Sequence, residues 1–216
     1  MLYTTLFIDL DDTIYPYQTG VWPLIKDRIS LYMHERMNMD WNAIPEIRRK
    51  LFEEYGTTLR GLVSLYKIDQ EEYLDFVHDI PLQNYLSINP VLYKVLESYT
   101  QRRLIFTNSD HKHARRVLGC LGVEDLFERI IDIHDIDPYC KPMPQAFAAA
   151  LRCSGEPDPS KCVFVDDSPV NLATAKALGF FTIRVGSTES SANYHAAIDT
   201  IHDLPTVLPC NGHTYQ

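Results

Sequence analysis

Five short runs rich in β-branched and aromatic residues are spread along this chain: Leu2 to Leu10, Arg103 to Thr107, Arg129 to Ile133, Cys162 to Val165 and Thr182 to Val185. Each is separated from the next by residues whose apolar positions recur at helical spacing. Val91, Leu92, Val95, Leu96 and Tyr99 share a face before the second run. Ala114, Val117, Leu118 and Leu121 do so after it, with Gly122 as a stop signal, and Phe147, Ala148 and Leu151 follow the third, with Gly155 beyond. After the fourth, Ser168 is placed to cap a helix that Pro169 opens and Gly179 ends. Strands that alternate with helices leave few ways to fold. They predict an α/β, Rossmann-like core, a parallel sheet with helices on both faces.

Residues 15–90 break the alternation, because only helical patterns occur there. Leu24, Ile25, Ile29, Tyr32, Met33 and Met37 share a face, and so do Ile44, Ile47, Leu51, Phe52 and Tyr55. Shorter patterns follow at Leu59, Leu62, Val63 and Tyr66, then at Tyr73, Leu74, Val77 and Ile80. Such helices bury their apolar faces on one another as a small bundle. The expected division is a core of residues 1–14 and 91–216 with a helical insert of 15–90. Pro16 marks one joint, and Pro81 with Pro90 the other.

The 216 residues suit one large domain or a core with a smaller insert, and a hydrophobic share of 45% provides a sizeable interior. A net charge of −9 disfavours a nucleic-acid polymer as partner, since such binders carry a basic stripe. It leaves a small anionic substrate open, because a bound cation reverses the local field. The start of the chain lacks the pattern of a signal peptide, and no apolar run approaches the ~20 residues that span a membrane. The cysteines are Cys120, Cys140, Cys153, Cys162 and Cys210, an odd number without a C-x-x-C pair. They read as small core residues of a reduced, cytoplasmic protein. No pattern speaks to oligomeric state.

In open parallel sheets ligands collect at the carboxyl ends of the strands. The first strand runs into Asp9-Leu10-Asp11-Asp12 and the second into Thr107-Asn108-Ser109. Lys141 follows the third in Tyr139-Cys140-Lys141-Pro142, and the fourth ends in Asp166-Asp167-Ser168. Like charges this close repel, so the cluster calls for a compensating cation. Asp11, two residues after Asp9, shares its face if the strand continues, while Asp12 points away into a structural role.

The order Asp-x-Asp-x-Thr, Thr-Asn, Lys-Pro, Asp-Asp-Ser resembles the haloacid dehalogenase-like superfamily of phosphohydrolases, and the resemblance spans roughly the whole chain. The insert is similar to the helical cap of that superfamily's first cap class. Tyr55-Gly56-Thr57-Thr58-Leu59-Arg60-Gly61-Leu62, Ile80-Pro81-Leu82 and Ile105-Phe106-Thr107-Asn108 resemble the pyrimidine 5′-nucleotidase branch. The resemblance implies a phosphomonoesterase acting on nucleotides such as UMP and CMP. Asp9 is the expected nucleophile, forming an aspartyl phosphate. Asp11 is the expected acid and base, and its presence favours phosphoryl transfer over carbon–halogen cleavage. Thr107 and the Asn108 N–H are expected to hold phosphoryl oxygens, and Lys141 to offset charge. Asp166 and Asp167, with Asp9 and the Asp11 carbonyl, are expected to bind Mg²⁺, Asp167 directly and Asp166 through water.

Thr57 and Arg60 are expected to face the substrate. Tyr15, Tyr17, Tyr55 and Tyr66 read as core more than as stacking platforms. His111 and His113 read as solvated, His134 as structural and Asn211 to Gln216 as a mobile tail. The alternatives are a phosphatase of sugar phosphates or phosphoglycolate, a phosphotransferase, and a non-catalytic regulatory protein of the same fold.

Overall fold

The computed structural model describes residues 3–210; Leu2 of the first expected strand and the tail Asn211 to Gln216 lie outside the described residues. The sheet holds β1 (Thr5–Ile8), β2 (Arg102–Phe106), β3 (Arg129–Ile131), β4 (Cys162–Asp166), β5 (Phe181–Val185) and β6 (Ala196–Ile198). All pairs are parallel, in the order β3-β2-β1-β4-β5-β6. Every residue of the central β1 and β4 is buried, as expected of a parallel sheet covered on both faces. The sequence reading missed β6. It is a three-residue edge strand, two of them alanines, so neither β-propensity nor alternation marks it.

Helices α1 (Val21–Glu35), α2 (Ile44–Tyr55), α3 (Thr58–Tyr66) and α4 (Gln70–Val77) lie between β1 and the rest of the core. The others are α5 (Pro90–Glu97), α6 (His111–Leu121), α7 (Pro144–Ser154), α8 (Pro169–Ala177) and α9 (Leu204–Val207). Side-chain caps fix several starts. Asp69 accepts from the N–H groups of Glu71 and Glu72, Asn89 from that of Leu92, Asp110 from that of His113 and Ser168 from that of Asn171.

The strand order reverses between β1 and β4. Chain connections run outward from β1 through β2 to β3, then return to β4 on its other side. This opens a crevice at the carboxyl ends of β1 and β4. Beneath it Phe7, Phe106, Phe147, Phe164 and Phe180 interlock, with ring centroids 5.3–6.4 Å apart. Edge-on aromatic packing of this kind gives the crevice a stiff floor.

The inserted helices pair α1 with α4 and α2 with α3. Arg28 of α1 donates to the Phe76 carbonyl and lies 4.1 Å over that ring. Two arginines tie the insert to the core. Arg116 of α6 donates to the carbonyls of His78 (2.8 Å) and Ile80 (2.6 Å). Arg60 of α3 donates to those of Ile133 (3.0 Å) and Tyr139 (2.8 Å).

Candidate active site

One further ladder bond, from Asp9 N–H to the Val165 carbonyl, extends β1 past Ile8. The chain then turns. The N–H groups of Thr13 and Ile14 both bond the Leu10 carbonyl, and Asp12 adopts a left-handed φ of 61°. Asp11 therefore reaches the cavity from a turn and not from a continued strand. Asp12 does not point away as expected. It lines the same cavity as Asp9 and Asp11, because the left-handed turn resets the alternation.

Lys141 occupies the centre of the crevice. Its Nζ lies 2.6 Å from Asp9 Oδ1, 2.9 Å from Asp166 Oδ2 and 2.8 Å from the Phe106 carbonyl. Burial alone would lower this ammonium, but the charges of Asp166 and Asp9 outweigh it and hold the group above the usual lysine range. Asn108 fixes the backbone that carries it, accepting from Lys141 N–H (2.8 Å) and donating to the Lys141 carbonyl (3.0 Å). Gly56 of the α2–α3 turn packs on the same loop. A Cβ there would stand 2.9 Å from Cys140 Sγ, and its φ of 83° already favours glycine.

Asp9, Asp166 and Asp167 bring a ligand oxygen each to within 4.8 Å of one another. Asp166 is spoken for: Asn171 Nδ2, the Ser168 N–H and Lys141 all donate to it. Among the described residues Asp9 Oδ2 accepts only from Thr13 Oγ1, at 3.0 Å. Three carboxylates thus face one ammonium. Burial pushes Asp9 well up, against the pull of Lys141 and with the help of Asp166 and Asp167. Burial and then the charge of Asp166 push Asp167 up to about 6, and burial with Asp167 and Asp11 pushes Asp12 up to about 7. Hard oxygen donors with surplus negative charge fit a hard divalent cation such as Mg²⁺. The Asp11 carboxylate stands outside this cluster.

Asp11 behaves in the opposite way. Burial alone would raise it, but His113, Tyr15 and Ser109 all bond the carboxylate and hold it well below the usual range. Its surroundings and those of Asp9 set two nearby carboxyls apart in proton affinity.

A cavity of about 1170 Å³ opens over this rim. Asp9, Asp11, Thr107, Asn108, Lys141 and Asp167 line it from the core, and α1 to α4 close it from the other side through residues such as Trp22, Ile25, Arg48, Leu59 and Tyr73.

The sequence matches the haloacid dehalogenase-like hydrolase family over residues 3–179. The chain belongs to that family. It is 30% identical to Phosphate metabolism protein 8 of Saccharomyces cerevisiae over 187 residues, 80% of this chain and 58% of the yeast protein. The chain thus spans little more than half the length of that relative. A haloacid dehalogenase-like phosphatase from Thermococcus onnurineus matches with a TM-score of 0.65 at 18% identity, over 96% of this chain and 98% of its own. The hydrolase YfnB of Bacillus subtilis, solved with magnesium bound, matches with a TM-score of 0.64 at 17% identity, over 97% and 100%. Likeness at such identity is likeness of fold.

Within this family fold, the residues expected at the rim, Asp9, Asp11, Thr107, Asn108, Lys141, Asp166 and Asp167, gather at one end of the sheet. The two expected in the insert part company. Thr57 lines the cavity, although its hydroxyl caps α3 through the Arg60 N–H. Arg60 does not face the cavity. Its buried guanidinium bonds Gln70, Asp137 and two carbonyls of the loop before Lys141. None of Tyr15, Tyr17, Tyr55 and Tyr66 lines the cavity either.

His113 overturns its reading as solvated, being 1% exposed with Nε2 2.9 Å from Asp11. Its position on the same helical face as Ala114 and Val117 was the available signal. His111 and His134 are exposed. His78, which lines the cavity at the end of α4, and Asn171, which holds Asp166, were missed. Neither carries a motif; His78 is placed by tertiary contact, and Asn171 by the first turn of α8, just after β4.

Proposed function

We propose that this protein is a Mg²⁺-dependent phosphomonoesterase of small phosphorylated metabolites, foremost pyrimidine nucleoside 5′-monophosphates such as UMP and CMP. The observation that carries the reading is the buried Lys141 ammonium bridging Asp9 and Asp166 at the reversal of strand order. A carboxylate that needs only to hold the fold would not line a large cavity beside a fixed cation.

Asp9 attacks phosphorus, and the bond from phosphorus to the leaving oxygen breaks as the aspartyl phosphate forms. Asp11 gives its proton to that oxygen. The negative phosphoryl group beside Asp11 raises its proton affinity, so the acid form is reached with substrate bound. Water then attacks the aspartyl phosphate, Asp11 takes a proton from it, and Asp9 is freed with inorganic phosphate. Thr107 and the Asn108 N–H hold phosphoryl oxygens, and Lys141 balances charge throughout. Asp9, Asp167 and the Asp11 carbonyl would hold Mg²⁺, with Asp166 acting through water. Bound there, the ion supplies positive charge to the phosphoryl oxygens and the nucleophile.

The division into a core of residues 1–14 and 91–216 and a cap of 15–90 belongs to this proposal, with the cap choosing the substrate. The stretch that resembles the nucleotidase branch supports it, since Gly56, Thr57, Thr58 and Leu59 form part of the cavity wall. The cavity has room for a base and ribose beyond the phosphate. A cytoplasmic setting agrees with the unbridged thiols of Cys120, Cys140, Cys153 and Cys162 and with the lack, among the described residues, of a helix able to cross a membrane.

The test is phosphate release from a panel of nucleotides, sugar phosphates and phosphoglycolate, with Mg²⁺ and with EDTA. UMP and CMP are expected to lead by about tenfold, ~1.4 kcal/mol of transition-state preference, with release stopped by EDTA. A leading sugar phosphate would keep the chemistry and reject the nucleotidase reading. A new nucleotide on adding acceptor nucleosides would make the enzyme a phosphotransferase. A folded protein that releases nothing would reject catalysis.

A further inference from the structure

Asp11 is held from three sides. Tyr15 Oη donates to Oδ1 at 2.5 Å, Ser109 Oγ donates to Oδ2 at 2.7 Å, and His113 Nε2 lies 2.9 Å from Oδ1. An ionised carboxylate only accepts, so Nε2 carries a hydrogen and donates it. That is the ring's only hydrogen bond: Nδ1 is buried without a partner among the described residues. The ring stacks on His78 with centroids 4.1 Å apart and planes at 17°. His78 in turn bonds Asp110, the residue that caps α6, where His113 sits.

These groups come from different parts of the chain. Tyr15 lies where the chain leaves the core for the insert. His78 lies where α4 ends and the insert returns, and His113 and Ser109 belong to the core. Both crossings between core and insert therefore touch the surroundings of one carboxyl group. A buried imidazole with an unsatisfied nitrogen is a poor structural choice, since a leucine there would bury as well at no polar cost.

We propose that His113 is a positioning residue for proton transfer between Asp11 and the leaving oxygen, with His78 fixing its ring. The proposal rests on the phosphomonoesterase reading above. Tyr15 and Ser109 offer hydroxyls whose O–H can rotate, so the stacked His113 ring is the donor of fixed direction; without it the carboxyl group is freer to turn. As the Asp9–phosphorus bond forms, the electron pair of the breaking phosphorus–oxygen bond goes to the leaving oxygen, which takes the Asp11 proton. Misplacing that proton by about 1 Å costs on the order of 100-fold. A leaving group that is stable as an anion does not need the proton, so the defect appears only with poor leaving groups.

The experiment compares kcat/KM for the best alkyl phosphate of the panel with that for p-nitrophenyl phosphate, in wild type, Asp11→Asn, His113→Phe and His113→Gln. This ratio reports only steps through the first phosphoryl transfer, and comparing two esters in one sample cancels the folded fraction. Asp11→Asn is expected to lose about 100-fold or more on the alkyl ester while p-nitrophenyl phosphate stays within about threefold. His113→Phe is expected to shift the ratio the same way by about tenfold or more. His113→Gln, whose amide N–H reaches toward the place of Nε2, is expected to restore most of it. Equal loss on both esters in His113→Phe, or no loss on either, overturns the proposal while leaving the role of Asp11 standing. If Asp11→Asn itself treats both esters alike, the acid role of Asp11 falls and that of His113 with it. Should His113→Phe not fold, Ser109→Ala removes another donor to the same carboxyl, and an unchanged ester ratio there counts against the cradle.

Discussion

The rim of the sheet and the helical wall opposite it bound the same cavity, yet their polar groups are held in different ways. At the rim Lys141 Nζ meets three acceptors, and Asp166 is bonded by Lys141, Asn171 and the Ser168 N–H. On the wall Arg48 spends one nitrogen on Lys26 and Ser30 of α1, while its Nε is buried with no partner among the described residues. Tyr73, also on the wall, is buried, and that burial holds its hydroxyl neutral well above the usual tyrosine range. Strand register places Asp9, Thr107, Asp166 and Asp167 at the rim, while Asp11 arrives from the turn after β1 and Lys141 from a loop that Asn108 holds. Side-chain packing fixes the wall. Substitutions at the rim should therefore cost chemistry, and those on the wall should cost stability or choice of substrate.

The largest effect is expected at the rim. Asp9→Asn removes the proposed nucleophile and should lower phosphate release by about 10³-fold or more on every ester of the panel, with circular dichroism unchanged. Activity within about tenfold of wild type would dismiss Asp9 as nucleophile. Lys141→Met leaves two buried carboxylates without their cation and should cost about 3–5 kcal/mol in urea unfolding.

Next in size is a contrast within the insert. Arg60 and Thr57 share the Tyr55 to Leu62 stretch, yet they do different things. Arg60→Met strips donors from the Ile133 and Tyr139 carbonyls and should destabilise by about 2–3 kcal/mol. Thr57→Ala removes a helix cap and should cost about 1 kcal/mol. An Arg60→Met protein of wild-type stability with a raised KM would put Arg60 back at the substrate.

That contrast marks where the sequence is legible. Asp9, Thr107 and Asp166 could be read because strand ends in a parallel sheet converge whatever the loops do, and Lys141 through its place in the order of motifs. The direction of Asp12 could not, since one left-handed residue resets the side-chain alternation on which the reading relied. Arg60 is expected at the substrate through the resemblance of its stretch and His113 in solvent at a helix start, yet both are buried against polar partners. A polar residue on a helix is exposed by default, and only tertiary contact reveals a loop carbonyl or a carboxylate waiting for it. Edge strand β6 fell below any local signal because alanine has little to pack.

The smallest effect separates two kinds of buried ionisable group. At the rim the Lys141 ammonium is buried and paired with Asp9 and Asp166, whereas Cys162 on β4 is buried and stays neutral. Burial first, then the charges of Glu156 and Asp158, push its thiol up to about 12. The folded state thus disfavours the thiolate. The resulting stabilisation is whole below the thiol's ordinary pKa and is lost as pH rises from there through about 12. Urea midpoints measured at pH 8 and at pH 10.5 should fall more steeply in wild type than in Cys162→Ala. Iodoacetamide should label the half-buried Cys120 and Cys153 well before Cys162. Equal slopes with early labelling of Cys162 would mean that β4 opens to solvent. A strand that opens could not keep Asp166 within 2.9 Å of Lys141, so this modest titration also tests the rigidity on which the rim depends.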